Sequence, residues 1–156
     1  MDGMIELDIM GIRVEVPSNA PMLLLKESGG QRYLPIWIGA AEASAIVNAL
    51  EGIVPPRPMT HDLMADLLAE LGHGQVVGRI TSVVDGTFHA ELVVHGRAID
   101  ARPSDVVALA LRSGFTVSCP PELLDQVGVE LFEAAEDEVE KFREFLDNIS
   151  PDDFEH

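Results

Sequence analysis

The sequence predicts an α+β fold: a compact single domain of antiparallel or mixed sheet with packed helices, followed by an acidic C-terminal helix. Three observations carry this expectation. Period-two segments occur in pairs joined by glycine-containing turns, at residues 28–31 and 85–86. Segments of helical period interrupt them without regular strand–helix alternation. Finally, 156 residues with 47% hydrophobic side chains suffice for one sizeable buried core.

In residues 4–16, Ile5, Leu7 and Ile9 alternate with Glu6 and Asp8, and after Gly11 the alternation resumes as Ile12, Val14 and Val16. That change of phase predicts a strand bulged at Met10-Gly11. Residues 22–27 and 32–38 read as a hairpin, and Pro35 places the later strand at an edge or with its ladder bonds elsewhere. Gly39-Ala40-Ala41-Glu42 opens a helix with Ala43, Ile46, Val47 and Leu50 on one buried face, ended by Gly52. Thr60 is the expected N-cap of a second helix, with Leu63, Met64, Leu67, Leu68 and Leu71 as its apolar stripe and Gly72 as its stop. Residues 75–84 and 87–94 form a second hairpin with a type I′ turn at Asp85-Gly86, and residues 97–101 continue the sheet. Pro103, Ser104 and Asp105 start a third helix that stops at Gly114, residues 115–118 make a short strand, and 121–126 a helical turn.

From Glu130 to Asn148 the character changes. Leu131, Ala135, Val139, Phe142, Phe145, Leu146 and Ile149 share one side of a helix, with Glu133, Glu136, Asp137, Glu140 and Glu144 largely opposite. The acids read as a solvated face, or else as part of a clamp over a cleft or a neighbouring subunit, with Phe154 as anchor. The expected division is therefore residues 1–129 as the domain and 130–156 as an acidic helix and tail.

The net charge of −17 is concentrated at that end, where residues 130–156 hold 11 acidic and 2 basic side chains. Such a surface lacks the long-range attraction that nonspecific nucleic-acid binders use, so any phosphate contact must be local or helped by a cation. No stretch approaches the roughly 18 continuous apolar residues of a membrane span, and the N-terminus lacks a basic region followed by an apolar one, so a cytoplasmic protein is expected. The single cysteine, Cys119, precludes an internal disulfide and reads as a buried filler. Tyr33 and Trp37 share a strand face, where packing or a subunit interface is the better expectation than base stacking. His89 and His95 are too far apart along their strand, roughly 20 Å, to join one metal set. No glycine-rich phosphate loop, nucleophile elbow or dinucleotide fingerprint is present.

Two segments repeat one arrangement. Arg57-Pro58-Met59-Thr60-His61-Asp62 and Asp100-Ala101-Arg102-Pro103-Ser104-Asp105 each set an arginine, a proline, a hydroxyl and a carboxylate where a helix begins. A helix start offers unpaired N–H groups and a positive dipole end, and an adjacent guanidinium completes a seat for a phosphate or carboxylate. Asp62 and Asp105 read either as helix-start carboxylates or as ligands sharing a divalent cation, magnesium or manganese, whose hard oxygen ligands suit phosphodiester cleavage. His61 is the candidate general base.

These segments resemble the bifunctional nuclease family, through Leu34-Pro35-Ile36-Trp37-Ile38-Gly39 with Glu42-Ala43, the two arginine-bearing starts, and the tail Ile149-Ser150-Pro151-Asp152-Asp153-Phe154. The resemblance implies a self-associating α+β domain and a nuclease activity on DNA and RNA. Residues 115–119 depart from the family pattern, which touches packing rather than the site. The resulting expectation is a nuclease with His61, Asp62 and Asp105 as catalytic residues. Arg57, Thr60, Arg102 and Ser104 would bind substrate, and Glu42 would join Asp62 and Asp105 as metal ligand. The expected partners are nucleic acid, through weak local contacts, and further copies of the chain. The alternative expectation is a noncatalytic oligomeric module that binds an anion or a protein.

Overall fold

The computed structural model describes residues 3–15, 18–72 and 75–130. The expected acidic helix beyond Glu130, Phe154 and His73 lie outside them. Among the described residues, eight strands and four α-helices follow in the order β1 (Ile5–Glu15), β2 (Ala20–Glu27), β3 (Arg32–Trp37), α1 (Ala40–Leu50), α2 (Thr60–Leu67, continued by a π-helical turn at Leu68–Gly72), β4 (Val76–Val84), β5 (Thr87–Val94), β6 (Arg97–Ala101), α3 (Pro103–Ser113), β7 (Val117–Cys119), α4 (Pro121–Val127) and β8 (Val129–Glu130). One sheet contains all the strands, ordered β6-β5-β4-β7-β1-β2-β3-β8. Every pairing is antiparallel except β4 with β7. The fold is α+β, as the interrupted hairpins predict.

The turns follow their residues. Between Ile9 and Gly11 the register of β1 on β2 shifts, and Gly11 sits at φ 133°, a conformation L side chains rarely adopt. Asp85 and Gly86, and likewise His95 and Gly96, pair positive φ values at the two central positions of their hairpin turns, as a type I′ turn requires. α3 starts on Pro103 and ends at Gly114, which takes the left-handed conformation at φ 81°.

The core lies where α1, α3 and α4 meet the sheet. Ile46 of α1, Val106, Val107 and Ala110 of α3, and Leu123 and Leu124 of α4 pack with Leu23, Leu25, Leu34, Ile80 and Val117. Residues of alternate parity on β2, Met22 and Leu24, are buried on the other face beside Trp37 and Val129. That two-sided burial accounts for the unbroken apolar run Met22–Leu25. α4 touches both β3 and β4, which stand four places apart in the sheet, so the sheet is curled. Cys119 is fully buried, and burial pushes its thiol up to about 11, as suits an inert filler. Among the described residues, no helix is long and apolar enough to cross a membrane.

At Gly78 of β4 the side chain of Val106 from α3 packs directly against the sheet backbone. A Cβ there would run into Val106 Cγ1 and press the Phe115 ring at 3.2 Å. Gly78→Ala is therefore expected to cost about 1–3 kcal/mol, read as a lower urea midpoint, because Val106 is fully enclosed and has nowhere to move.

Several details differ from the sequence reading. Leu50, expected on the buried face of α1, is 44% exposed at the end of that helix. Thr60 is the first helical residue, not the cap: Met59 holds the cap position, and its N–H donates to Asp62 Oδ2 at 3.0 Å. The apolar stripe that follows is not a core face, with Leu63, Leu67 and Leu71 at 52, 48 and 72% exposure. α2 rests chiefly on α3, whereas α1 and α3 pack on the strands directly. β7 begins at Val117 rather than Phe115, because pairing with β1 and β4 starts only there. Glu130, expected to open a helix, ends the short strand β8, which pairs Val129 and Glu130 with Tyr33 and Arg32. β8 stops short of Pro35, whose missing N–H would leave a gap in the ladder.

Candidate active site

Three helix starts converge. α1 begins where β3 ends, α3 begins directly after β6, and α2 lies across α3. This packing brings Glu42 in the first turn of α1, His61 in the first turn of α2, and Arg102 and Asp105 at the start of α3 into one connected cluster. Residues 44 apart in sequence meet directly: His61 Nε2 stands 2.8 Å from Asp105 Oδ1. Arg102 grips the same carboxylate in a fork, donating Nε to Oδ2 at 2.8 Å and Nη2 to Oδ1 at 3.0 Å. Its remaining arm, Nη1, donates to Glu42 Oε2 at 2.8 Å.

A second pair adjoins this chain. Arg112, two helical turns beyond Asp105 on the same side of α3, donates Nε to Asp62 Oδ1 at 2.8 Å. Its Nη1 donates to the Ala108 carbonyl at 2.9 Å and its Nη2 to the Ala45 carbonyl of α1 at 3.0 Å. One guanidinium thus ties α2 and α1 to α3, with its side chain only 13% exposed. Arg112 was not singled out in the sequence. The signal was its position seven residues after Asp105, which places both on one helix face.

The electrostatics follow from these contacts. Hydrogen bonding to Arg102 holds the Glu42 carboxyl below the usual range, and hydrogen bonding to Arg112 does the same for Asp62. For Asp105, burial pushes upward, but the hydrogen bonds from Arg102 and His61 outweigh it and the carboxyl is lowered. All three are carboxylates at neutral pH. Asp62 thus combines both of its structural roles, accepting from the Met59 N–H and from Arg112, while Asp105 is held by side chains alone.

The other expected residues stand apart from this cluster. Arg57 is exposed on the loop before α2 and makes no ion pair among the described residues, and Thr60 is exposed at the start of that helix. Ser104 is 5% exposed and lines a groove of about 840 Å³ that Glu42 and Arg102 also border. Arg102 is the main revision to the reading of two arginines poised for phosphate. Its side chain is 60% exposed, yet its guanidinium is shared between two carboxylates, so the positive charge is already compensated.

The carboxylates do not fit a divalent cation as they stand. Among the described residues, no three His, Cys, Asp or Glu side chains are grouped to hold a metal ion. Arg102 occupies Glu42 and Asp105, and Arg112 occupies Asp62. A cation between these acids requires both arginines to give way.

Replacing Arg112 by methionine, which keeps the stem and deletes the fork, is expected to cost about 2–3 kcal/mol. It removes the guanidinium that ties α2 and α1 to α3, leaving Asp62 Oδ1 without its charged donor while Oδ2 keeps the Met59 N–H. A thermal melt at neutral pH is expected to fall by roughly 4–8 °C.

The bifunctional nuclease domain model matches residues 23–132, and the chain belongs to that family. Two uncharacterized proteins from strains of Mycobacterium tuberculosis are each 51% identical over 159 aligned residues, covering 96% of this chain and 97% of theirs. Bifunctional nuclease 1 of Oryza sativa subsp. japonica is 24% identical over 111 residues, which are 67% of this chain and 33% of the rice protein. The match to the family model takes in Glu42, His61, Asp62, Arg102, Asp105 and Arg112.

Proposed function

We propose that the chain is a nuclease that hydrolyses phosphodiester bonds of DNA or RNA, with His61 as general base and Asp105 as the group that orients it. The observation that carries this reading is the 2.8 Å contact between His61 Nε2 and Asp105 Oδ1, with Asp105 itself fixed by the Arg102 fork. A carboxylate accepts only, so the neutral imidazole that pairs with it carries its proton on Nε2. Nδ1 is then the lone pair that takes a proton from the attacking water, and Asp105 stabilises the imidazolium that results. Arg57, exposed beside Thr60 at the start of α2, supplies an uncompensated guanidinium for the phosphate, assisted by the N–H groups of the first turn. Asp62 acts through Arg112, keeping the first turn of α2 in register with α3.

No step in this scheme passes through a metal. The experiment that tests it incubates purified protein with end-labelled single-stranded DNA and RNA in chelator, in magnesium and in manganese. Cleavage in any arm that disappears in His61→Ala supports the reading. Cleavage that survives the substitution, or none in any arm, contradicts it. Full activity in chelator assigns the chemistry to side chains, whereas strict dependence on magnesium or manganese shows that the arginines release their carboxylates to a cation.

One observation favours a second reading, a noncatalytic self-associating module. Leu63, Leu67 and Leu71, at helical spacing, are exposed by 52, 48 and 72%, and Met59 just before them by 63%, so these large apolar side chains are left without cover. On this reading sedimentation velocity shows an oligomer that Leu67→Glu disperses, with no cleavage in any arm.

A further inference from the structure

The groove of about 840 Å³ beside the ion-pair cluster has the dimensions of a ligand site, and its lining is mixed. Glu42, Arg102 and the buried Ser104 border it, with Ser18, Asn19 and Thr87 as further polar residues. Its apolar and aromatic lining includes Trp37 at the end of β3, Phe88 near the start of β5, and Ile36 and Val83. Phosphate does not suit such a space. Burying an anion among apolar side chains is costly, Glu42 repels it, and the charge of Arg102 is already taken up by two carboxylates. A neutral, flat, partly polar group suits it well, because aromatic walls reward stacking and the polar residues offer hydrogen-bonding groups.

We propose that this groove receives an unpaired base of a single-stranded nucleic acid, next to the nucleotide whose phosphate lies at His61. The inference rests on the nuclease reading and narrows its substrate to strands whose bases are free to leave the stack. Two features argue for it. The groove is continuous with the proposed catalytic cluster through Glu42 and Arg102, which belong to both. The net charge of −17 also withholds the usual electrostatic attraction to nucleic acid, so affinity must come from contacts that do not depend on charge. A base already stacked in a duplex reaches such a groove only after unpairing, at a cost of a few kcal/mol that a single strand avoids.

Trp37 is the chain's single tryptophan, so intrinsic fluorescence reports on the groove wall directly. The full chain is titrated with a single-stranded hexamer, an abasic hexamer with the same phosphates, and a duplex of equal length. The base-bearing strand is expected to quench Trp37 with a shallow salt dependence, corresponding to no more than about two neutralised phosphates. The abasic strand and the duplex are expected to bind at least fivefold more weakly. Phe88→Ala removes an aromatic wall, and Ala40→Phe, at an exposed groove-lining position in the first turn of α1, fills the space without opening the core. Each is expected to weaken binding of the base-bearing strand by about fivefold or more. Equal binding of abasic and base-bearing strands, equal binding of duplex and single strand, absence of quenching at millimolar strand, or unchanged affinity in a folded Ala40→Phe protein each overturns the proposal. Quenching without strand cleavage removes the nuclease reading and leaves a base-binding groove, whereas cleavage without quenching removes the groove alone.

Discussion

Substitution of His61 by alanine is expected to reduce strand cleavage by about 10²–10⁴-fold while the protein stays folded. The size follows from the removal of a positioned general base. The retained fold follows from the site's construction: among the described residues His61 makes one side-chain hydrogen bond, to Asp105, while α2 is held to α3 independently by Arg112 and Asp62. Circular dichroism and a urea melt measured beside the cleavage rate separate the two effects. Asp62→Asn is the informative contrast. Both oxygens of Asp62 are committed, to Arg112 and to the Met59 N–H, so its replacement is expected to lower stability more than it lowers the rate at saturating substrate. A His61→Ala protein that cuts at the wild-type rate assigns the activity elsewhere.

Asp105→Asn is expected to be nearly as damaging to cleavage, again by about 10²–10⁴-fold, with a signature in stability that His61→Ala lacks. An amide in this place offers one acceptor atom where the carboxylate offers two. Arg102, which donates to both oxygens, then faces an NH₂ group in either orientation of the amide, and with the NH₂ at the Oδ1 place His61 faces it too, so the ring loses its fixed acceptor for the Nε2 proton. The pH dependence of unfolding supplies the second readout. The Asp105 carboxyl is lowered in the folded protein, so its stabilising contribution is complete above the ordinary aspartate value of about 4 and is lost as pH falls through the lower folded value. Wild type is expected to be more stable than Asp105→Asn at neutral pH, with the difference closing below about pH 4. A difference that is constant across that range contradicts the assigned ionisation.

Much of this architecture was legible in the sequence because its signals are local. The phase change at Gly11, the paired turn residues Asp85-Gly86 and the Pro103 to Gly114 limits of α3 each report a backbone requirement that the residue itself satisfies. The duplicated arginine-bearing starts also drew attention to residues that the fold brings together: His61, Arg102, Asp105 and Glu42 meet in one cluster. What the sequence did not disclose depends on partners distant along the chain. Nothing local to Arg102 announces that Glu42 and Asp105 will share its guanidinium, and Arg112 resembles any basic residue in the last turn of a helix. The stripe of α2 has the period of a buried face, but periodicity identifies a helix without saying whether neighbouring elements leave it a surface to cover. β8 is only two residues long, below any periodic signal, and exists because β3 offers a free edge ahead of Pro35.

The coupling of His61 to Asp105 is tested most directly by a double-mutant cycle on single-turnover cleavage, comparing His61→Ala, Asp105→Asn and the two together. If Asp105 acts by orienting His61, the double variant is expected to be no slower than His61→Ala alone, because the second substitution removes a partner of a group already absent. Losses that multiply in the double variant would show two independent contributions and contradict a single hydrogen-bonded unit.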